Sequence, residues 1–194
     1  MLRISFDDLQ ETVRRILVGR GCPVTRAELA ARLIAETSAD GVYSHGVNRF
    51  PRLVETIDKG YVKLTAEPAC VERFGAIERW DGHQGLGLTN AHAAMARAIE
   101  LARSHGVGSV ALANTNHWLR GGSYGWQAAE NGCVGLCWTN TTPNMPAWGG
   151  RDPRLGNNPL VIAVPNGDAP VVVDAAMAQF SYGRMETAAL RGES

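Results

Sequence analysis

The stretch AIERWDGHQGLGLTNAHAAMARAIELARSHGVGSVALAN, residues 76–114, runs from an alternating segment through a glycine-rich turn into a helical pattern and out into a second apolar segment. Its first segment, like "CVERFG" just before it, alternates as strands do. "GVGSVALAN" is a short apolar run of the kind that forms a buried strand. Between them a helix is predicted from about Ala91 to Ser104. Strands alternating with helices argue for an α/β layer. The glycines invite a nucleotide-binding reading and fail it. The G-x-G-x-x-G spacing is incomplete in "GHQGLGLTN", and G-x-x-x-x-G-K-[ST] occurs nowhere in the chain. That speaks against a Rossmann fold, and Gly85 and Gly87 are expected to serve a tight turn ahead of the helix.

Toward the N-terminus the pattern is helical. Ser5 and Asp8 mark a start before Leu9, Val13, Ile16 and Leu17. Thr25 and Glu28 have capping-box spacing before Leu29, Leu33 and Ile34, giving a second helix to about Asp40. "VNRFPRLVETIDKG" predicts a third, with Pro51 tolerable only near its first turn. Toward the C-terminus, "GSYGWQAAENG" reads as a helix, and "CVGLCWTN", "PLVIAVP" and "APVVVDAA" read as strands. "TTPNMPAWGGRDPRLGNNP" reads as one long loop of the functional or mobile sort. The expected division is a helical lobe over residues 1–68 and an α/β domain over 69–194.

Lys+Arg and Asp+Glu both number 19, so no charge surplus points to nucleic acid or an anionic membrane. A small neutral or acidic ligand is the better expectation. Lys59 and Lys63 are the only lysines, which leaves little scope for covalent amine chemistry. The four cysteines form no C-x-x-C pair; Cys133 and Cys137 have the spacing of one strand face and are expected as buried thiols in a reducing, cytoplasmic setting. No apolar run approaches the roughly 18 residues of a membrane span. No His/Cys cluster has zinc spacing, so no metal is expected.

"SHGVNRF", residues 44–50, holds the most suggestive chemistry. If a helix begins near Ser44, His45 and Arg49 share one face, about a turn apart. A histidine moves protons near neutral pH, and an arginine fork binds a carboxylate. Together they suit a 2-oxo or 2-hydroxy acid; a helix-terminus histidine beside a surface cation is the plainer alternative. His117, in "NTNHWLRGGSYGWQ", follows an apolar strand and precedes a helix. It fits either a site residue or a loop histidine packed between Trp118 and Trp126. Asp174 ends a strand, where its carboxylate would accept from ribose hydroxyls or cap the next helix.

"GVYSHGVNRFPR", "GAIERWDG", "NTNHWLRGGSYGWQAAE", "WTNTTPNMPAWGG", "LGNNPLVIAVP" and "VVVDAAMAQFSYG" together resemble the type-2 malate/L-lactate dehydrogenase family, from Ser5 to about Met185. "SHGVNRF" and "NHWLRGGSYGWQAAE" are most similar to its branch that reduces 2,3-diketo-L-gulonate. The resemblance implies a layered mixed-sheet, non-Rossmann fold that binds NAD(H) or NADP(H). It also implies a small 2-oxo acid or sugar-acid substrate and a homodimer. It matches His45 to the catalytic histidine that protonates the substrate carbonyl, Arg49 to the carboxylate-binding arginine and His117 to a second site histidine. Cofactor contacts fall on Asn140 and Thr141 and on Pro170, Val171, Val172, Val173, Asp174, Ala175 and Ala176. Asn157 in "LGNNP" replaces a threonine of the family's pattern. The family continues past the equivalent of Ser194, which implies a fragment or a truncated product. That would leave the apolar faces bearing Leu9, Val13, Ile16, Leu29 and Leu33 uncovered. A malate/lactate-type dehydrogenase, or a non-catalytic remnant that binds ligand or a partner, is the alternative expectation.

Overall fold

Ser5 starts the first helix as expected, its hydroxyl accepting from the backbone N–H of Asp8 at 3.1 Å. The computed structural model describes residues 3–178 and, beyond them, Gly183, Met185, Ala188, Ala189 and Gly192. The chain forms two compact units, Met1–Arg120 and Gly121–Ser194, with the helical segment and the first sheet in one unit.

In the first unit, α1 (Phe6–Val18) packs along α2 (Val24–Ala39). Val13, Leu17, Leu33 and Ile34 are buried, and Leu9, Ile16 and Leu29 are half-buried. These helical faces are therefore not the uncovered surface that the sequence led us to expect. The Thr25–Glu28 capping box does not form. Pro23 occupies the N-cap with no side-chain cap, so Thr25 lies inside the first turn. α3 (Phe50–Asp58) carries Pro51 in its first turn, where no backbone donor is needed.

β1 (Ala69–Phe74) pairs antiparallel with β2 (Ile77–Asp81), and α4 (Gly87–His105) carries the chain to β3 (Ser109–Ala113), parallel to β2. α4 starts four residues earlier than expected, so Gly87 belongs to the helix and not to a turn before it. β3 is not the buried strand that its apolar run predicts: its residues alternate between exposed and half-buried. α4 packs against β3, and the other face has no cover among the described residues.

Glu78 on β2 is fully buried beneath long side chains. Its carboxylate accepts from Arg97 Nη2 at 2.8 Å and from Trp80 Nε1 at 2.8 Å, and pairs with Arg73 at 2.7 Å. The hydrogen bonds from Arg97 outweigh desolvation and, with Trp80 and Arg73, hold its pKa down at about 2. A depressed carboxylate pKa stabilises the fold above the unfolded value and loses that contribution as pH falls through the folded one. Thermal melts should thus show stability falling progressively from about pH 5 toward pH 2. In Glu78→Gln that acid-dependent component should shrink; an unchanged acid profile would show that Glu78 contributes none of it.

The second unit packs α5 (Gly122–Glu130) on one face of an antiparallel sheet ordered β4 (Gly135–Trp138), β7 (Leu160–Val164), β8 (Val171–Ala175). Gly135, Cys137, Val161 and Ala163 form the buried face. The opposite face exposes Leu136, Trp138, Ile162, Val164, Val171 and Val173, paired across strands. β8 too is exposed or half-buried along its length, with one face uncovered. The loop expected over 141–159 contains a hairpin of β5 (Met145–Pro146) and β6 (Pro153–Leu155). Cys137 is buried; Cys133 lies before β4 and is only half-buried, so the two do not share a strand face. No helix among the described residues is long and apolar enough to cross a membrane.

Candidate functional site

The parallel register of β2 and β3 aligns Asp81 with Ala113, so the loops after the two strands emerge side by side. Gly82 N–H donates to Ala113 O at 2.8 Å, and Asn114 Nδ2 donates to Asp81 Oδ2 at 2.9 Å. Loops at the carboxyl ends of parallel strands are where α/β sheets place ligands. The segment after β3 delivers His117.

Asn116 fixes that segment. Its amide nitrogen donates to Tyr61 O at 3.2 Å, Gln84 O at 2.8 Å and Gly85 O at 3.1 Å, tying three loops together. Buried Asn90 of α4 donates to Gly82 O and to Thr115 Oγ1, each at 3.0 Å. Arg120, just beyond, pairs with Asp40 at the end of α2. Gly87 lets α4 approach: a Cβ there would sit 2.2 Å from Asn116 O and 2.3 Å from His117 O.

His45 and Arg49 are not on one continuous helix. The chain makes two short 3-10 turns, Tyr43–His45 and Val47–Arg49, broken at Gly46. A Cβ at Gly46 would meet Ser38 Oγ at 2.4 Å, and that hydroxyl accepts from the N–H of Val47 at 2.9 Å. Glycine thus lets the break press onto α2. The result places His45 against His117, with ring centroids 6.1 Å apart and an interplanar angle of 30°. Arg49 and Arg52, from the second turn and the start of α3, line one hollow with Thr56, Asn116, His117 and Leu119.

His117 Nδ1 accepts from the backbone N–H of Leu119 at 2.9 Å. Desolvation, then the charges of Arg49, His45 and Arg52, push its pKa down to about 4. His117 is exposed to solvent, so water offsets part of the desolvation, while the cationic neighbours push in the same direction. The result is a neutral imidazole beside an arginine pair, a setting that attracts an acid and donates hydrogen bonds to it. A separate depression over the first sheet, with Val71, Trp80 and Leu112, gathers no histidine.

The expected cofactor residues lie in the second unit. Asp174 caps the start of α5: its Oδ2 accepts from Gly122 N–H at 2.8 Å. Thr141 is latched to the loop before β7, its hydroxyl bonding Asn157 Oδ1 at 2.8 Å and Asn158 Oδ1 at 3.2 Å. Asn157, the departure seen in "LGNNP", is thus a partner of Thr141. Asn140, Val171, Val173, Asp174 and Ala175 are exposed, and Pro170, Val172 and Ala176 are half-buried. Residues 179–182, the end of the "VVVDAAMAQFSYG" motif, lie outside the described residues. Asn116, Leu119 and Arg52 escaped the sequence reading. Arg52 had a readable signal, since it lies one turn from Arg49; Asn116 acts through its side-chain amide on distant carbonyls and Leu119 through its backbone N–H, contacts that only the folded loops create.

A profile of the malate/L-lactate dehydrogenase family matches residues 4–194. Over 192 residues the chain is 47% identical to 2,3-diketo-L-gulonate reductase of Citrobacter koseri, covering 98% of this chain and 57% of that protein. It is 48% identical to the protein of the same name from Escherichia fergusonii, with the same coverage. Malate dehydrogenase from Entamoeba histolytica superposes with a TM-score of 0.95 at 31% identity, covering 98% of this chain and 54% of that one. The chain thus spans somewhat more than half the length of the relatives it matches. The match across nearly the whole sequence, in both residues and fold, shows that this chain belongs to the malate/L-lactate dehydrogenase family.

Proposed function

We propose that the protein reduces a 2-oxo acid, 2,3-diketo-L-gulonate or a close relative, using NAD(H) or NADP(H), with His45 giving the proton. The observation that carries this reading is the convergence of His45, His117 and Arg49, brought from segments about seventy residues apart. Arg49 binds the substrate carboxylate through its planar fork, Arg52 adds positive charge, and His45 lies beside the bound acid to protonate its carbonyl oxygen. NAD(P)H, when bound, supplies the hydride. The residues expected to hold it are chemically suited to a dinucleotide: among the described residues β8 is an exposed edge strand, and Asp174 is a carboxylate of the kind that accepts from ribose hydroxyls. The relatives that are 2,3-diketo-L-gulonate reductases by name support the substrate class. A cytoplasmic homodimer belongs to the same proposal.

The test is oxidation of NADH and NADPH by the longest native form of the polypeptide, with 2,3-diketo-L-gulonate compared against pyruvate and oxaloacetate. Absence of turnover with every 2-oxo acid would overturn the proposal. Arg49→Lys keeps the charge and loses the fork, so KM should rise roughly ten- to hundredfold with a smaller change in kcat. An unchanged KM would remove Arg49 from carboxylate binding.

A further inference from the structure

We infer that His117 is a fixed hydrogen-bond donor, neutral with its one proton on Nε2, and that the backbone N–H of Leu119 locks this tautomer. The inference rests on the function proposed above and divides labour between the two histidines: His117 orients the substrate oxygen, and His45 alone exchanges the proton.

The geometry carries the argument. A main-chain N–H has one proton and does not give it up, so His117 Nδ1, 2.9 Å from Leu119 N, must present a lone pair. An imidazolium has protons on both nitrogens, so protonating His117 would set N–H against N–H. His45 differs. Its Nδ1 lies 3.0 Å from the Ser44 hydroxyl, which donates to a bare nitrogen or accepts from a protonated one by rotating. One ring is therefore held in a single protonation state, and the other has a partner that suits both.

The lock is built into the backbone. Leu119 has φ +62°, a left-handed conformation uncommon for a bulky residue, and the residue is 4% exposed. Asn116 anchors the segment on one side, and the Arg120–Asp40 pair anchors it on the other. The cationic groups facing His117 are Arg49 and His45 from the 3-10 turns and Arg52 from α3, and all three oppose a further positive charge. A pKa lowered to about 4 accords with this arrangement.

NAD(P)H would supply the hydride for the carbonyl carbon. The carbonyl oxygen would take the proton from His45, leaving a hydroxy acid and a neutral His45. His117 Nε2–H donates a hydrogen bond to the same oxygen or to a neighbouring one throughout, without losing its proton.

The deciding measurement is long-range proton–nitrogen NMR of the histidine-labelled protein between about pH 5 and 8, the window in which an ordinary histidine titrates. The His117 signals, assigned by their loss in His117→Gln, should show a bare Nδ1 and a protonated Nε2 throughout. A titration midpoint inside that window, or a proton on Nδ1, would overturn the inference. Kinetics give a second check. His117→Gln retains an N–H donor near Nε2 and should keep kcat within about tenfold, whereas His117→Phe should lose roughly a hundredfold. Both should keep the wild-type pH dependence of kcat/KM, and loss of a limb of that profile in His117→Gln would make His117 the acid. If no 2-oxo acid is turned over, the function proposed above fails, while the NMR result still decides the tautomer.

Discussion

Replacing His45 by alanine is expected to cut kcat by roughly 10²- to 10⁴-fold, the usual range for loss of a positioned general acid, while leaving NADH affinity nearly intact. The split follows from where the ring sits. His45 occupies a turn of the first unit against His117 and next to the arginine-lined hollow, whereas the residues expected to hold the cofactor all belong to the second unit. Deleting the imidazole would therefore remove the proposed proton donor and leave the expected cofactor contacts in place. Single-turnover kinetics together with NADH fluorescence titration would read both quantities. Turnover at the wild-type rate would take His45 out of the mechanism. Equal losses of turnover and NADH affinity would show that it serves the cofactor and not the substrate.

Gly87→Ala should be among the most damaging small substitutions in the first unit. Its methyl would lie 2.2 Å from Asn116 O and 2.3 Å from His117 O, both main-chain atoms that no side-chain rotation can move aside. Either the N-terminus of α4 or the segment carrying His117 must shift. Asn116 holds that segment by three hydrogen bonds, and Asn90, one turn into α4, is itself tied to Gly82 and Thr115. We expect a loss of on the order of 3 kcal/mol or more in denaturant unfolding, at the severe end for a single methyl. The His117–Leu119 hydrogen bond should weaken with it, so the His117 NMR signals should move even under conditions where the variant stays folded. Wild-type stability would mean that the approach of α4 to this segment is looser than the structure has it.

Local chemistry was legible wherever one residue settles it. Ser5 starts α1, Pro51 falls in the first turn of α3, and the alternation of "CVERFG" and "AIERWDG" gives β1 and β2. The Thr25–Glu28 pair matched a capping box in spacing alone, and Pro23 took the cap position instead. Gly87 was read as a turn glycine because a glycine-rich run looks alike whether it serves a tight bend or a close contact with a loop about 30 residues on. Apolar runs such as "VALA" and "VVV" fit burial on two faces. Whether a second layer exists is not written in the run, and in both units one face of the sheet has no cover among the described residues.

By itself the sequence determined the order of the main helices and strands apart from the β5–β6 hairpin, the non-Rossmann character of the glycine-rich turn, and the residue types suited to a 2-oxo acid, because these depend on periodicity, spacing and side-chain chemistry within a few residues. Only the tertiary structure decided which of those residues meet. His45 and Arg49 do not share a helix face, since Gly46 breaks the chain where it presses on Ser38. They reach one place because the parallel pairing of β2 with β3 brings His117 to the same loops. Asp174 caps a helix that begins 52 residues earlier, through a bond that only the packing of α5 on the β4–β7–β8 sheet creates. The protonation state inferred for His117 likewise hangs on one backbone N–H, set by the left-handed turn at Leu119. Such a turn carries no composition signal, because a leucine enters it only when the surrounding packing compels it.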